Sequence, residues 1–351
     1  MTDGGADRCP KQMLFGPCGG VLPSGRCEVE SFGPCVFLDR PLTPWVRGND
    51  NKTANDPSPG ANALSGFAAP SHPVPLVVVD IVTNVPDVDA ITRDARRLVG
   101  AVDAVLYGDL RSGRLQFPPS FTARILLDAG VEPWPGINCR DRNRVALESE
   151  LVALRSLGVR RVHCVTGDHP VTGDRGDAMP VFDLESFTLA ALAVDLGFEV
   201  SVAETPGAPP FEVRPHRIAE KAKTGATICV VNHAGDVADV AAFVTAAQEA
   251  CTGQMEFIVC VAAAFDSATA ASLDAYPSHR VPHGYFTSVS EGEHPWDAGV
   301  EAATAYGRQV LAIPGVVGVD IGAFIPAGAT ERDRSATADG LAAIAKELRQ
   351  P

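Results

Sequence analysis

The sequence predicts a (β/α)8 barrel of the TIM type, preceded by a small cysteine-rich module. Three observations carry that prediction. From residue 75 onward, eight apolar, largely β-branched runs alternate with segments of helical period. Nearly every run ends in polar residues, as strands do when they deliver groups to one barrel mouth. No Gly-x-Gly-x-x-Gly follows any run, which weakens an open dinucleotide-binding sheet as the alternative.

The elements follow in order. Residues 1–45 place Cys9, Cys18, Cys27 and Cys35 beside Pro10, Pro17, Gly19, Gly25 and Pro34. Glycine and proline permit tight turns that aim several thiolates at one point. So short a piece has too few large apolar residues to fold alone, and four thiolates on a metal would staple it. The spacing lacks the paired C-x2-C form of common zinc ribbons. Residues 46–74 are rich in Gly, Pro, Asn, Ser and Ala and read as a linker or a surface wrap. Residues 75–351 hold the barrel. Strands are expected at 75–82, 101–107, 134–138, 161–165, 198–203, 227–231, 257–262 and 316–321. Helices are expected at 88–99, 120–129, 145–158, 184–196, 216–224, 237–251, 298–312 and 336–348.

Bulk properties narrow the function. A hydrophobic content of 46% in 351 residues allows a large core. The net charge of -14 disfavours nucleic acid or an anionic membrane surface as a partner, because both need a basic face. No run reaches the length of a membrane span and the N-terminus has no apolar signal core, so the expected location is the cytoplasm. In that compartment the scattered cysteines, Cys139, Cys164, Cys229, Cys251 and Cys260, read as reduced core residues.

The strand ends gather Asp80, Tyr107, Asp109, Asn138, Arg140, Asp168, His169, Glu204, Asn232, His233 and Asp266 at one mouth, with Phe265 beside the last. For any one of them a structural hydrogen bond is as good a reading as a ligand contact. Arg142 and Arg144 read as residues that open a helix and pair with Asp141 and Glu148.

Two stretches carry a family resemblance. Cys139-Arg140-Asp141-Arg142-Asn143-Arg144-Val145-Ala146-Leu147-Glu148-Ser149-Glu150-Leu151, then Val165-Thr166-Gly167-Asp168-His169-Pro170, resembles the third and fourth strand region of methylenetetrahydrofolate reductases. Lys221 to Asp236 is similar to a further segment of that family, and the likeness spans about residues 75 to 325. Separately, the Cys9 to Cys35 pattern resembles the cysteine-rich module named after the C-terminal region of reductase-related proteins.

The resemblance implies that 5,10-methylenetetrahydrofolate is reduced to 5-methyltetrahydrofolate by hydride from NADH or NADPH. It implies that Asp80 is the catalytic acid, standing where the family has a glutamate, protonating a pterin nitrogen to open the methylene bridge to an iminium. It implies substrate contacts from Asp168, Asn232, Arg140, Tyr107 and Phe265. Cofactor contacts would come from Lys221, His169 and Asp109. The cysteine module implies zinc, with a [4Fe–4S] cluster as the alternative. Leu106 and Gly136 stand where flavin-binding members have polar contacts, so FAD binding is in doubt and a flavin-free reduction is the leading expectation. The alternatives are an FAD-dependent reduction and a non-redox folate-binding or one-carbon transferase subunit. A homo-oligomer or a partner subunit is compatible with either.

Overall fold

The computed structural model describes residues 9–47, 75–80, 86–108, 115–274, 280–325 and 328–350. Eight strands form a closed parallel barrel in chain order: β1 (Leu76–Asp80), β2 (Ala104–Tyr107), β3 (Pro133–Asn138), β4 (Arg161–Val165), β5 (Glu199–Glu204), β6 (Ile228–Val231), β7 (Glu256–Ala263) and β8 (Val316–Ala323), with β8 pairing back onto β1. Ten α-helices accompany them among the described residues: α1 (Val88–Leu98), α2 (Pro119–Ala129), α3 (Arg144–Ser156), α4 (Ser186–Asp195), α5 (Arg214–Ala222), α6 (Val237–Ala250), α7 (Ser267–Asp274), α8 (Thr287–Glu291), α9 (Pro295–Leu311) and α10 (Glu331–Leu348).

The strands are apolar on both faces because each face is covered. Successive side chains alternate across the sheet. One set, Leu76, Val78, Ala104, Leu106, Trp134, Ile228, Val230 and Ile258, fills the lumen. The other set, including Val77, Val79, Val105, Ile137 and Val259, packs outward against the helices in a larger core. The far end of the lumen is closed by Arg161, which pairs with Glu199 at 2.6 Å and lies 5.2 Å over the Trp134 ring.

Helix ends follow from local chemistry. Asp87 caps α1 by accepting from the Ala90 N–H, and Asn143 caps α3 by accepting from that of Ala146. The last helix begins five residues before the expected Ala336. Thr330 and Asp333 form a reciprocal capping box there, and polar residues fill its first turn. The second strand begins at Ala104 rather than Ala101, because the Ala101 N–H bonds back to Leu98 O and closes the α1 turn. Helices α7 and α8 were not expected. Both are short and mostly small or polar, so they carry little apolar period.

The N-terminal module, described from residue 9, folds against the barrel. Phe15 and Trp45 pack on Phe187 and Ala191 of α4, with the Phe15 and Phe187 rings 5.2 Å apart. Leu14 donates its N–H to Glu185 and Trp45 to Glu220. The expected linker lies almost wholly outside the described residues. No described helix is long and apolar enough to cross a membrane.

Candidate functional site

A cavity of about 300 Å³ opens over the ends of β3 to β6. Its barrel side carries Asn138, Asp168, Glu204 and Asn232 from four strand ends. Its roof is the N-terminal module, contributing Lys11, Glu28 and the run Cys18 to Pro23. The Gly-Asp pair after β4 is glycine for a geometric reason. Gly167 has φ +88, and a Cβ there would crowd Asn138 and Arg140. That turn sets Asp168 on the cavity wall. Asn138 accepts the Arg140 N–H at 2.8 Å, and Asn232 accepts the His233 N–H at 3.0 Å, so its amide NH2 remains to face a ligand.

Beneath the cavity lies a buried ionic cluster. Glu204 meets Arg214 at 3.0 Å, Arg217 at 2.9 Å and Lys221 at 3.2 Å. Burial alone would raise its carboxyl, but the charges of Lys221, Arg217 and Arg214 outweigh burial and hold it far below the usual range. Burial and the neighbouring Arg217 charge lower Lys221 to about 8, and the ammonium also donates to Ala203 O. Above the cavity, Lys11 pairs with Glu28 at 2.7 Å and donates to Gly167 O at 2.8 Å. Glu28 also accepts the His169 N–H at 2.7 Å, so one carboxylate ties the module to the β4 loop.

The opposite side of the barrel carries a different cluster. Asp80 pairs in register with Leu106, which faces the lumen, so its carboxyl faces the lumen too. Asp320 of β8 lies opposite Val78, one layer deeper on the same face, and Cys260 of β7 lies level with Asp320. The Cys260 thiol is 3.8 Å from Asp320 Oδ2, while Asp320 Oδ1 is buried with no hydrogen-bond partner. Burial pushes Asp80 up to about 6. Burial and then the Asp80 charge push Asp320 well above the carboxylate range.

The expected site residues therefore divide. Asp168 and Asn232 share the cavity; Asp80 faces the same lumen but sits across it, beside β8. Lys221 also borders the cavity, with its charge committed to Glu204. His169 caps a short 3-10 turn by accepting the Val171 N–H, and burial lowers its pKa. Arg140 is buried and chelates Asp141 through two guanidinium nitrogens, while Arg144 pairs with Glu148. Two residues expected to touch substrate do not face the mouth. Tyr107 is one residue past lumen-facing Leu106, so it turns outward and donates to Pro119 O. Phe265 lies beyond β7 and wedges between α9 and α10, against Trp296 and Gly340. Asp109 lies outside the described residues. Asp266, also expected at the mouth, instead accepts from Thr269 at the start of α7.

Lys11, Glu28, Arg214, Arg217, Cys260 and Asp320 were not anticipated. A signal existed for some. Arg214, Arg217 and Lys221 recur at helical spacing, and Asp320 interrupts an apolar strand as Asp80 does.

The four module cysteines, Cys9, Cys18, Cys27 and Cys35, line one cavity of about 20 Å³ walled by Met13, Val21, Phe32 and Phe37. Burial pushes Cys9 up to about 11 and raises Cys27 and Cys35. Four soft donors around one small space suit zinc or an iron–sulfur cluster by chemistry. By spacing they do not: among the described residues no three His, Cys, Asp or Glu side chains are arranged to hold a metal ion.

Comparison with known proteins adds two findings. Residues 5–42 match the family model described as methylene-tetrahydrofolate reductase C terminal. No curated protein matches the sequence. Among solved structures, an uncharacterised protein from Clostridium thermocellum that binds two copies of 5-methyl-5,6,7,8-tetrahydrofolic acid has a TM-score of 0.55 at 11% identity, covering 76% of this chain and 94% of that one. Tryptophan synthase from Mycobacterium tuberculosis has a TM-score of 0.45 at 12% identity, covering 78% and 91%. The fold is thus that of a known barrel, and the N-terminal segment is similar to a module of the methylenetetrahydrofolate reductases.

Proposed function

We propose that the barrel mouth binds a reduced folate and that the chain reduces 5,10-methylenetetrahydrofolate to 5-methyltetrahydrofolate. The observation that carries this reading is the pairing of a lumen acid held near neutrality with a polar cavity on the same mouth. Asp80, raised to about 6, keeps a proton to a higher pH than an ordinary aspartate. Asp168 and Asn232 offer an acceptor and a donor to the edge of a pterin, which would lie across the mouth toward Asp80. Asp80 gives its proton to the bridging nitrogen, the carbon–nitrogen bond breaks with its electron pair left on that nitrogen, and the remaining carboxylate offsets the positive iminium. A bound NADH or NADPH supplies the hydride that the methylene carbon accepts. The reacting partners need only be held in register, so no flavin is required. Gly136 is compatible with that point: a Cβ there would lie 3.0 Å from Tyr107 O and 3.2 Å from the Gly108 Cα, so a longer side chain at that position would need its neighbours to shift. The match of residues 5–42 and the folate bound by the Clostridium thermocellum protein support the substrate class.

One observation favours a non-redox folate-binding or one-carbon transfer role instead. Lys221, expected to meet a cofactor phosphate, is engaged by Glu204. Anaerobic incubation of the purified chain with NADH and 5,10-methylenetetrahydrofolate separates the two. The reductase reading expects 5-methyltetrahydrofolate to form; folate binding without NADH oxidation would favour the second. The module thiols are proposed to close on zinc, with a [4Fe–4S] cluster as the alternative, and elemental analysis with a visible spectrum distinguishes them.

A further inference from the structure

The two cavities share a wall. Lys11, Cys18, Gly20 and Val21 border both the large cavity over the strand ends and the small cavity of the four thiols. Cys18 is thus part of the roof of the large cavity as well as one of the four thiols.

The side chain that fixes this wall is Arg214, at the first position of α5 and wholly buried. A guanidinium has five N–H donors in a rigid fork. Here it makes five contacts: Nε to Ala208 O at 2.8 Å, one terminal nitrogen to Glu204 at 3.0 Å and Pro17 O at 3.3 Å, and the other to Pro209 O at 2.6 Å and Cys18 O at 3.1 Å. Three contacts belong to the barrel and two to the module. On the facing side Gly19 approaches Thr205 so closely that a Cβ would lie 2.6 Å from its hydroxyl. Gly20 backs onto Glu28, where a Cβ would collide with the carboxylate. The run Cys18 to Gly20 is thus clamped between Arg214, Thr205 and Glu28.

We propose that the N-terminal module is a structural half of the ligand site, and that Arg214 is the positioning residue coupling the state of the four thiols to ligand affinity. The coupling is reciprocal, as any linkage between two sites must be. Ligand in the large cavity protects Cys18 from modification, and modification of Cys18 weakens the ligand. The folate reading enters only in the choice of probe.

The test is thiol alkylation of the full chain with iodoacetamide, mapped residue by residue by mass spectrometry. Arg214→Lys keeps the charge but has three donors for five acceptors and no rigid fork, so it cannot hold barrel and module by all five contacts. It is expected to speed alkylation of Cys18 about tenfold, the scale of lost charged hydrogen bonds. Cys139, Cys164 and Cys229, fully buried in the barrel, serve as internal controls and are expected to stay protected. Gly19→Ala, which pushes the same run off Thr205 without changing charge, is expected to do likewise. Unchanged Cys18 labelling in both variants overturns the proposal. So does simultaneous exposure of the barrel cysteines in both, since that marks a merely structural role. With 5-methyltetrahydrofolate as probe, the wild-type chain is expected to show slower Cys18 alkylation and, once alkylated at Cys18, weaker binding. Binding without protection of Cys18 overturns the coupling. If the wild-type chain binds no folate, the folate reading falls and the coupling to ligand affinity falls with it, while the two variants still decide whether Arg214 holds Cys18 in place.

Discussion

Glu204 and Asp320 are both acids in barrel strands, both almost fully buried, and both near the mouth, yet they behave in opposite ways. Glu204 has Arg214, Arg217 and Lys221 within 3.2 Å and stays ionised far into acid. Asp320 has a neighbouring carboxyl and a thiol, and holds its proton. Desolvation pushes each carboxyl up; what stands beside it decides whether that push wins. One side of the barrel uses buried charge to hold the module in place. The other holds two coupled carboxyls, Asp80 and Asp320, whose burial favours the protonated form.

Breaking each side should therefore give different symptoms. The largest effect is expected from Asp80→Asn, which keeps shape and removes the acid. Turnover should fall by roughly 10²- to 10⁴-fold with the circular dichroism spectrum unchanged. In the wild-type chain, kcat/KM should decline as pH rises through about 6, because the working form of Asp80 is protonated. A rate independent of pH from roughly 5 to 8, the span of the Asp80 titration, would remove its role.

Next comes Glu204→Gln, which leaves three buried cations without their carboxylate. Urea denaturation should register a loss of about 3–5 kcal/mol. Its folded pKa lies below the unfolded one, so the stabilisation is present above the ordinary glutamate value of 4.5 and is lost as pH falls toward the folded value. The variant should lack that acid-dependent loss.

Asp320→Asn should do the reverse on a smaller scale. Its folded pKa is raised, so its contribution to stability is full below the ordinary aspartate value of 3.8 and is lost as pH rises. The variant should gain on the wild type as pH rises. A constant difference across pH would show that Asp320 is ionised in the fold. Smallest is Asn232→Ala, expected to weaken 5-methyltetrahydrofolate binding about fivefold by calorimetry, the cost of one neutral hydrogen bond.

The barrel was legible because its strands are buried on both faces and so read as unbroken apolar runs; the fourth strand was read to the residue. Half of the site was legible for a related reason, since polar residues at strand ends stand out against those runs. Parity misled the rest. Asp80 pairs with Leu106, so Tyr107 had to face the helices, yet the sequence hides that register. Arg214 was invisible because its module partners, Pro17 and Cys18, lie far away in sequence. Such partners are backbone carbonyls, and carbonyls leave no trace in side-chain patterns.

Folate chemistry at this mouth with Asp80 as the acid stands or falls on the products formed from NADH and 5,10-methylenetetrahydrofolate, separated by chromatography for the wild-type chain and Asp80→Asn in parallel. The expected result is 5-methyltetrahydrofolate from the first and essentially none from the second. Equal product from both, or none from a wild-type chain that is folded and metal-replete, would contradict it.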